Sequence, residues 1–486
     1  MRRLPIYHAD RWAGIVIEGA TAAHHRRRLA RLGHAGSYDP PDDGRLWAVG
    51  DPPPRPGNAV DVLVDGAQAL PEIERAIRGA RHHVHIAGWS VTPHFALTRD
   101  EPPVVLRELL ADAAERADVR VLMWAGAPPR TFAPDRRAAR EARDGLTRGT
   151  KVRAACDARS RLMHCHHEKV VIVDDEVAFV GGIDLTVLGG DRYDTNPHPA
   201  RGRLGWHDAT ARLRGPAVAD VAAHFAARWG EVAGEPLSAP PAALAPAGDL
   251  DVQVVRTVPE REYDFMPHGD FRMLEAYLRA LRSAQRLVYL ESQFLWAPEV
   301  VDVLAAKLAE PPHDDFRAVV VLPSKANNGQ EDTRGQLAIL ADADRDGGGD
   351  RFLAATISAL TGRTLDRVYV HAKIGVVDDR WLTIGSANLN AHSLFNDSEM
   401  NLVVCDAGLA RDTRLRLWAE HLERAEADVA GDPARVVDEL WRPIALEQRE
   451  RTRRGEPRTH RLVELPPASR RLERLLAPVD ALVVDG

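Results

Sequence analysis

A motif of histidine, lysine and aspartate occurs twice in this chain, with its two copies 204 residues apart. The segment 167–174 reads His-x-Lys-x4-Asp, and the segment 371–378 repeats this spacing. The repeated residues are His167, Lys169 and Asp174 in the first copy and His371, Lys373 and Asp378 in the second. Two further pairs of segments keep the same offset: RAIRGARHHV at 75–84 with RALRSAQRLV at 279–288, and VGGID at 180–184 with IGSAN at 384–388. Because separate segments share one offset, the sequence predicts a duplicated unit, and 486 residues suffice for two such halves.

Both halves show the same order of predicted elements. An amphipathic helix with apolar residues at helical spacing comes first, followed by a short strand, a second helix and an apolar strand. The last three segments are 83–89, 104–117 and 119–124 in the first half, and 287–293, 300–310 and 317–323 in the second. The His-Lys strand follows, and an apolar strand ending at Gly181-Gly182 or Gly385-Ser386 closes each unit. Strands that alternate with helices predict an α/β fold in which helices cover a mixed sheet.

The composition along the chain predicts five segments. Their bounds are 1–57 for an N-terminal arm, 58–231 for the first half, 232–249 for a linker, 250–430 for the second half and 431–486 for a C-terminal tail. The arm is rich in Arg, His and Pro, and the linker is rich in Ala and Pro without helical periodicity over most of its length. One helix is predicted in the tail, around residues 440–451.

The overall composition disfavours several classes of protein. Apolar residues make up 45% of the chain and charged residues 28%, and no run of 18 apolar residues is present to span a bilayer. The net charge of −7 argues against a nucleic-acid partner. Three cysteines (Cys156, Cys165 and Cys405) cannot form a disulfide framework and favour a reducing compartment. Charged residues interrupt the apolar start of the chain, which disfavours secretion, so we expect a cytoplasmic protein.

The doubled motif has a chemical interpretation that one copy alone would not support. On a strand, residues i and i+2 point to the same side, so each histidine shares a face with its lysine. If the two copies meet across a pseudo-twofold axis, two imidazoles and two ammonium groups surround one point. Such a pocket suits a phosphate, because the lysines neutralise its oxygens while one imidazole attacks and the other donates a proton. No metal ion or other cofactor is expected, since the lysines supply the charge that a metal would bring.

The pattern His-x-Lys-x4-Asp-x6-Gly-[Gly/Ser], present twice, resembles the signature of the phospholipase D superfamily. The likeness covers roughly residues 60–430, and several segments are similar to its phospholipase D branch: HHEK, GGIDL, DRYDTNPHP, WHDATARLRGPAVADV, LESQF and GSANLNAHSLFNDSEM. The resemblance implies a duplicated α/β/α sandwich with one active site between the halves. It also implies hydrolysis of a glycerophospholipid to phosphatidate and a free alcohol through a phosphohistidine, with transfer to another alcohol as a related outcome. The partner would then be a phospholipid at a membrane surface, with the protein associated peripherally; no oligomeric state is indicated.

The same resemblance assigns roles to the motif residues. His167 would be the nucleophile that forms the phosphohistidine. His371 would be the general acid for the leaving alcohol and later the base for the acceptor. Lys169, Lys373 and Asn388 would hold the phosphoryl oxygens.

Further residues are expected around this centre. Acidic groups behind the imidazoles would fix their tautomer and charge, and the candidates are Glu399 and Asp194. Four residues are assigned to the substrate-binding wall: Gln293, Trp89, Ser386 and Gly182. The aspartates of the two motifs, Asp174 and Asp378, are expected to hold the local structure more than to touch substrate.

Two positions depart from the family pattern. Asp184 stands where the second half has Asn388, and a carboxylate facing a phosphate would repel it, so Asp184 is not expected to be a ligand. His392 occupies the place of the arginine that is usual in the second motif, which leaves the contacts of that loop open.

Three local patterns have competing interpretations. Four neighbouring residues have the types of a zinc or copper site: Cys165, His164, His166 and His167. Adjacent residues of a strand point to opposite faces, however, and cannot easily close a tetrahedron. The segment 342–347 matches the start of a calcium loop, yet Leu353 stands where a bidentate glutamate belongs, so a solvated turn is expected. The segment HHRRR at 24–28 is expected to be a solvated helix face, not a phosphate or membrane contact.

Three rival functions are weighed against the phosphodiesterase. The first is a phosphatidyltransferase similar to cardiolipin synthase, disfavoured because the sequence lacks the membrane helices that such enzymes commonly carry. The second is a nuclease of the same superfamily, disfavoured by the negative net charge. The third is a catalytically inactive lipid-binding or scaffold protein, disfavoured because both motifs are complete.

Overall fold

The computed structural model describes residues 5–128, 133–161, 164–238, 244–325 and 330–466, with side chains outside 5–18 and 330–332. Six parts of the predicted segments lie outside the described residues: 1–4 of the arm, 129–132 and 162–163 of the first half, 239–243 of the linker, 326–329 of the second half and 467–486 of the tail.

The N-terminal arm and the first half together carry fourteen described elements, here numbered in chain order. They are α1 (Pro5–Leu32), α2 (Ala35–Tyr38), β1 (Arg55–Val64), α3 (Asp65–Gly79), β2 (His83–Gly88), α4 (Leu106–Ala113), β3 (Asp118–Trp124), α5 (Arg136–Thr147), β4 (Arg153–Asp157), β5 (Val170–Val173), β6 (Val177–Gly181), β7 (Gly205–His207), β8 (Ala209–Arg214) and α6 (Val218–Ala233).

The second half repeats this series with additions, and a helical tail follows it. The second half contains β9 (Leu250–Val258), β10 (Asp270–Phe271), α7 (Arg272–Ser283), β11 (Leu287–Glu291), α8 (Pro298–Ala309), β12 (Arg317–Val321), α9 (Gln330–Asp346), β13 (Phe352–Thr356), β14 (Ser358–Thr361), β15 (Thr364–Val370), β16 (Ile374–Val377), β17 (Trp381–Gly385), α10 (Ala391–Phe395), β18 (Glu399–Val404) and α11 (Ala407–Leu422). The tail contains α12 (Glu426–Val429), α13 (Pro433–Val436), a π-helical turn (Val437–Trp441), α14 (Arg442–Arg453) and β19 (Val463–Glu464).

The two halves share one continuous mixed sheet of 16 strands. Its order is β19-β13-β12-β11-β16-β17-β18-β9-β1-β8-β6-β5-β2-β3-β4, with β10 paired to β9. From the junction outwards, the order in the second half matches the order in the first, and β1 and β9 pair antiparallel at the junction. The predicted fold class, a duplicated α/β/α sandwich, is confirmed.

The apolar strand after each His-Lys pair is covered on both faces of the sheet. In β5, Val170 and Ile172 belong to the core beneath α6, whereas Val171 and Val173 belong to the core beneath α3 and α4. A strand with helices on both sides has no solvent-facing positions, so its sequence is continuously apolar and does not alternate. The strand is therefore rigidly held, and the residues just before it are delivered to a fixed place.

A smaller three-stranded sheet connects the halves beside the second motif. In this sheet β7, from the first half, pairs in parallel with β15, from the second, and β14 pairs with β15. The register places His207 opposite Val370, the residue directly before His371. This ladder fixes the segment around His207 against the start of the second motif.

The predicted repeat elements appear in the structure as β2, α4 and β3 and as β11, α8 and β12. The central strands β1, β8, β9 and β18 were not predicted. In β1 the side chains of Val60, Val62 and Val64 are buried at alternate positions, so period-two alternation was the available signal.

The segment 24–28 is not the solvated helix face that the sequence predicted. His25 is buried and pairs with Glu299 (Nδ1 to Oε1, 2.9 Å). Arg28 is also buried and donates to the side-chain oxygen of Asn396 (2.8 Å). Two of the five basic residues thus attach α1 to the second half, because helical spacing turns them towards it while their neighbours face solvent.

Two further expectations are changed by the structure. The segment 342–347 forms the last turn of α9 and the residue after it, where Asp344 accepts the backbone N–H of Arg351 (3.0 Å), so it is not a solvated turn. The predicted tail helix is present as α14, and the tail then adds β19 to the sheet edge beside β13.

Within the described residues, no helix combines the length and the apolar character that crossing a membrane requires.

Candidate active site

His167 lies in an extended segment directly before β5, and its ring is held from behind by a carboxylate. Its backbone N–H donates to the carbonyl of Ser398 (2.9 Å), and its Nδ1 lies 2.9 Å from Oε1 of Glu399. The hydroxyls of Ser386 and Ser393 both donate to the same carboxylate. With Nδ1–H donating to Glu399, the lone pair on Nε2 remains available for attack.

His371 has the equivalent arrangement with a different acid. Its Nδ1 lies 2.7 Å from Oδ2 of Asp208, and its backbone N–H donates to the carbonyl of His207 (2.7 Å). Asp208 precedes β8 as Glu399 opens β18, so both acids stand at the start of the last strand of their half. The sequence analysis missed Asp208, although this shared position was a signal for it.

The prediction that Asp194 supports an imidazole of the pair is wrong, since Asp208 occupies that place. Asp194 lies instead against Arg201 and 3.3 Å from Nδ1 of His198. Asp194 was chosen because it follows His167 by about as many residues as Glu399 follows His371. This comparison fails because the connection before the last strand is longer in the first half, 182–208, than in the second, 386–398.

Each imidazole of the two motifs is supported by the other half of the molecule. Glu399 belongs to the second half and holds His167, whereas Asp208 belongs to the first half and holds His371. Because each imidazole depends on the opposite half, one site is completed only when both halves are in contact.

Gly182 and Ser386 serve these carboxylates and are not placed as a substrate-binding wall. A Cβ atom at Gly182 would overlap with the carboxylate of Asp208, so glycine leaves room for that side chain. The equivalent Ser386 is fully buried and donates its hydroxyl to Glu399. The substrate-binding assignment of these two residues is therefore corrected to support of the acids.

Both lysines of the motif are buried beside their histidines. The Nζ of Lys169 donates to the carbonyl of His167 (2.8 Å) and lies 3.3 Å from Oδ2 of Asp184. The Nζ of Lys373 donates to the carbonyl of His371. Asp184 thus pairs with a lysine, which agrees with the expectation that it is not a phosphate ligand.

The electrostatics of the site are dominated by burial and positive charge. Burial, followed by the charges of Lys373, Arg192, Lys169 and His167, lowers the pKa of His371 well below its usual value. Lys169, Lys373 and Arg192 are buried cations near the imidazoles and can attract an anion such as a phosphodiester.

Arg192 is a site residue that the sequence analysis missed. It is buried, its guanidinium lies 3.7 Å from the ring centroid of Trp206, and that ring lies 4.3 Å from the ring of His371. The only signal for Arg192 in the sequence was an arginine within the DRYDTNPHP segment, and the sequence alone does not show that this side chain is buried near the second motif.

Asn388 and Gln293 hold each other in the second half. The backbone N–H of Gln293 donates to Oδ1 of Asn388 (3.3 Å), and the Asn388 amide lies 3.4 Å from Oε1 of Gln293. Gln293 also donates to the hydroxyl of Tyr369 (2.8 Å), whose ring adjoins Trp206. These contacts orient the Asn388 amide next to the second motif.

The aspartates of the two motifs close turns away from the imidazoles. Asp174 accepts the backbone N–H groups of residues 81–83 at 2.7–2.8 Å. Asp378 does the same for residues 285–287, each at 2.8 Å. Both have positive φ angles, 56° and 52°, which aspartate tolerates in such turns. They tie β5 to β2 and β16 to β11, the structural task that the sequence analysis expected.

Trp89 lines an apolar pocket of about 450 Å³ in the first half. Its ring stacks on that of Trp124, with centroids 6.3 Å apart, and Cys165 packs against the pair. Other apolar residues of the wall are Val91, Met123, Ala139, Ala142, Val187 and Leu188. Because Cys165 lies two residues before His167, the pocket adjoins the segment that carries the first imidazole. Its counterpart Gln293 contacts Asn388, so the two halves are not equivalent here.

The cluster of histidines and cysteine at 164–167 does not converge on one centre. Cys165 faces the tryptophan pair, while Nε2 of His166 lies 3.0 Å from Asp157 and the ring of His167 meets Glu399. These directions rule out one metal centre formed by all four residues, and His164 lies in a different group, with His392 and Asp397.

Family comparisons agree with the duplicated site. A family model described as "Phospholipase D" matches residues 76–205, and one described as "Cardiolipin synthase, PLD-like domain" matches residues 277–417. The chain belongs to the phospholipase D superfamily. Each matched region of this superfamily member contains one His-Lys pair, so the two models correspond to the two copies found by the internal repeat.

Curated relatives of this superfamily member are identical to it at about one residue in four of the aligned region. Phospholipase D A of Dictyostelium discoideum is 26% identical over 463 residues, which cover 76% of this chain and 36% of that protein. Phospholipase D alpha 1 of Cynara cardunculus is 24% identical over 78% of this chain and 68% of its own length. Cardiolipin synthase 1 of Staphylococcus aureus is 25% identical over 54% of this chain and 47% of its own length. This chain thus spans about a third of the Dictyostelium protein and of Phospholipase D1 of Schizosaccharomyces pombe, also at 36%.

Among solved structures, this chain is similar to phosphatidylserine synthase of Haemophilus influenzae Rd KW20. It is 12% identical, with a TM-score of 0.48 over 74% of this chain and 84% of that one.

Proposed function

We propose that this protein is a phosphodiesterase that hydrolyses a glycerophospholipid to phosphatidate and a free alcohol. One observation carries the proposal: two buried imidazoles, each held at Nδ1 by a carboxylate from the opposite half, lie beside two buried lysines. This arrangement keeps one ring nitrogen of each histidine available for the reacting phosphoryl group.

The proposed reaction has two displacement steps. In the first, Nε2 of His167 attacks phosphorus, the P–O bond to the head-group alcohol breaks, and His371 donates a proton to the departing oxygen. In the second, His371 takes a proton from water, whose oxygen attacks phosphorus and breaks the P–N bond to His167. The products are phosphatidate and the alcohol, and both imidazoles return to their starting protonation states.

The lysines and an amide are proposed to stabilise the charge of the transition state. Lys169 and Lys373 bring positive charge into a water-poor site, where it interacts strongly with phosphoryl oxygens. The amide of Asn388, oriented by Gln293, would donate a further hydrogen bond. No catalytic metal ion is required in these steps.

The apolar pocket beside Trp89 supports a lipid substrate. Its walls offer carbon surface to acyl chains, and burying such surface stabilises binding by roughly 25 cal/mol per Å². We propose that a phospholipid enters this pocket from a membrane surface, and that the protein is cytoplasmic and acts peripherally on membranes. The net charge of −7 argues against a nucleic-acid substrate.

Phosphatidyl transfer is the second candidate function. It is favoured by the match of the second half to a model described as "Cardiolipin synthase, PLD-like domain". The chemistry differs only in the acceptor, since an alcohol replaces water in the second step.

The proposal is tested with purified protein on phosphatidylcholine liposomes and, separately, on single-stranded DNA. We expect phosphatidate and choline from liposomes and no cleavage of DNA. Added glycerol or ethanol should divert part of the product to a phosphatidyl alcohol if transfer competes with hydrolysis. Cleavage of DNA together with intact lipid would contradict the lipid assignment and support the nuclease.

The pocket makes a prediction about chain length. Leu188 lines it and is half-buried, so Leu188→Glu should fold while placing a charge among the acyl chains. We expect kcat/KM for long-chain phosphatidylcholine to fall roughly tenfold to a hundredfold, the cost of losing one buried apolar side-chain contact. Activity on p-nitrophenyl phosphocholine, which has no acyl chains, should change little, and Leu188→Met should resemble the wild type on both. An equal loss on both substrates would show that the pocket serves the chemistry and not the lipid.

The pH dependence should differ between leaving groups. His167 must be neutral to attack, and His371 must be protonated to release a poor alcohol, so kcat/KM for phosphatidylcholine should be bell-shaped. Burial and the facing cations lower the pKa of His371. The fall of kcat/KM at high pH, which reports loss of the His371 proton, should therefore begin at a lower pH than for an ordinary imidazole. p-Nitrophenolate leaves without a proton, so its profile should keep the acid limb and lose the alkaline one. The same alkaline limb for both substrates, with chemistry rate-limiting, would contradict this.

A further inference from the structure

A second cluster of buried ionisable residues lies next to the active site and is not used by the proposed reaction. Its four core members are Asp65, His198, His207 and Glu420, and each is at most 7% exposed. Asp65 opens α3, His207 ends β7, and Glu420 lies on α11 of the second half, so the cluster crosses the junction between the halves.

The four side chains direct one nitrogen or oxygen each towards a common point. Nε2 of His198 lies 2.9 Å from Oε1 of Glu420 and 3.4 Å from Oδ2 of Asp65. Nδ1 of His207 lies 3.0 Å from Oδ1 of Asp65 and 3.5 Å from Oε1 of Glu420. Ligand atoms bound tetrahedrally to zinc at about 2.0–2.2 Å are about 3.3 Å from one another. The three separations that involve Oδ2 of Asp65 or Oε1 of Glu420 are 2.9, 3.4 and 3.5 Å, close to this value, and one ligand atom from each of the four residues lies within 4.8 Å of the others.

The outer nitrogen of each imidazole faces a further carboxylate. Nε2 of His207 lies 2.8 Å from Oε2 of Glu291, and Nδ1 of His198 lies 3.3 Å from Oδ2 of Asp194. Metal-binding histidines commonly donate their free N–H to a carboxylate, as His207 can to Glu291, which fixes the tautomer and makes the ligand nitrogen more basic. Nδ1 of His198 faces Asp194 without a hydrogen bond among the described residues. Two histidines with inner nitrogens converging and outer nitrogens on separate acids form the pattern of a metal centre.

Hydrogen bonding within the cluster does not account for all its polar atoms. Among the described residues, Oδ2 of Asp65 is buried without a hydrogen-bond partner and points towards His198. A buried carboxylate oxygen of this kind is costly unless a cation or donor meets it. A divalent ion bound here would meet it, and its two positive charges would balance Asp65 and Glu420 while both imidazoles stay neutral.

We propose that this protein binds one zinc ion at Asp65, His198, His207 and Glu420. Two imidazole nitrogens and two carboxylate oxygens in a closed tetrahedral arrangement are the donor set of zinc among the common divalent metals. All four positions are taken by protein, so the ion is structural: it ties α3, β7 and α11 together across the two halves. This proposal replaces the expectation that the protein holds no metal ion. The proposed reaction at the phosphoryl group still uses no metal.

The position of the site gives it a consequence for the active site. His207 is followed by Asp208, and the carbonyl of His207 accepts the backbone N–H of His371 (2.7 Å). An ion that fixes His207 also fixes the carboxylate and the backbone that orient the second imidazole.

The test measures metal content in full-length protein from zinc-supplemented cultures, purified without chelators and desalted. Mass spectrometry of the elements should find about one zinc per chain in the wild type and less than about one-fifth of that in His198→Ala and Glu420→Gln. His164→Gln is the matched control, because His164 belongs to a different group of histidines and acids, with His392 and Asp397, and it should keep its zinc. Asp194→Asn should still bind zinc, with affinity about 10–100-fold weaker.

Stability gives a second readout that does not depend on lipid activity. Removing zinc with a strong chelator should lower the Tm of the wild type, and one equivalent of zinc should restore it. Glu420→Gln preserves side-chain size, so it decides the matter if His198→Ala fails to fold. A wild type with no bound metal and no response of Tm to zinc would overturn the proposal, as would equal zinc content in wild type and Glu420→Gln. Failure of the lipid assay leaves these measurements unaffected.

Discussion

His167→Ala is expected to lose activity on both phosphatidylcholine and a p-nitrophenyl phosphodiester, by at least about 10⁴-fold, because no covalent intermediate forms without its Nε2. His371→Ala should lose about 10²–10⁴-fold on phosphatidylcholine, whose alcohol needs a proton, and far less on the p-nitrophenyl ester. Steady-state rates on the two substrates measure both effects. Duplication alone does not choose between the histidines, so this assignment rests on the family pattern.

Trapping of the intermediate separates the two roles directly. A phosphodiester labelled in its phosphoryl group is mixed with each variant, quenched in denaturant and assayed for labelled protein. Label on His371→Ala and none on His167→Ala supports the assignment. The opposite pattern would exchange the roles, and identical behaviour of the variants would mean that the roles are shared. His164→Gln, three residues before the nucleophile and partly exposed, is the matched control and should retain wild-type labelling.

Glu399→Gln should lower kcat by roughly 10²–10⁴-fold on both substrates, because it disturbs the nucleophile His167. The carboxylate accepts from Nδ1 of His167 and from the hydroxyls of Ser386 and Ser393. An amide in its place removes the charge, and its NH₂ group can donate to Nδ1, which moves the ring proton to Nε2 and leaves no lone pair for attack. Presteady-state bursts of p-nitrophenolate report on this first step.

Asp208→Asn is the matched variant on the other imidazole. Because Asp208 holds His371, its loss should resemble loss of the acid, with a large effect on phosphatidylcholine and a small one on the p-nitrophenyl ester. Such a result would show that each carboxylate serves the histidine of the opposite half. If Glu399→Gln instead spared the p-nitrophenyl ester and Asp208→Asn impaired it, the result would indicate that His371 is the nucleophile and His167 the general acid.

Much of the fold follows from the sequence because it depends on local patterns. The 204-residue offset predicted the duplication, and the apolar runs after the His-Lys pairs predicted buried central strands. These inferences succeeded since burial of a strand imposes the same pattern wherever the strand lies in the sheet. The histidines and lysines of the candidate site could be named for the same reason, because two copies of one motif stand at equivalent positions.

The partners of these residues could not be assigned reliably from the sequence. Glu399 was named, but Asp194 was named in error for Asp208, because the longer connection before β8 breaks the equivalence of spacing between the halves. Gly182 and Ser386 were assigned to substrate, although they make room for or donate to the acids. The roles of such residues depend on what lies opposite them, and local sequence does not contain that information.

The tertiary structure decided how the two halves complete one another. The acid that holds His167 is 232 residues away in sequence, and the acid that holds His371 is 163 residues away. Antiparallel pairing of β1 with β9 and parallel pairing of β7 with β15 bring these groups together. Residue types and their spacing along the chain thus determined which side chains carry the chemistry, whereas strand pairing between the halves determined which acid each imidazole meets.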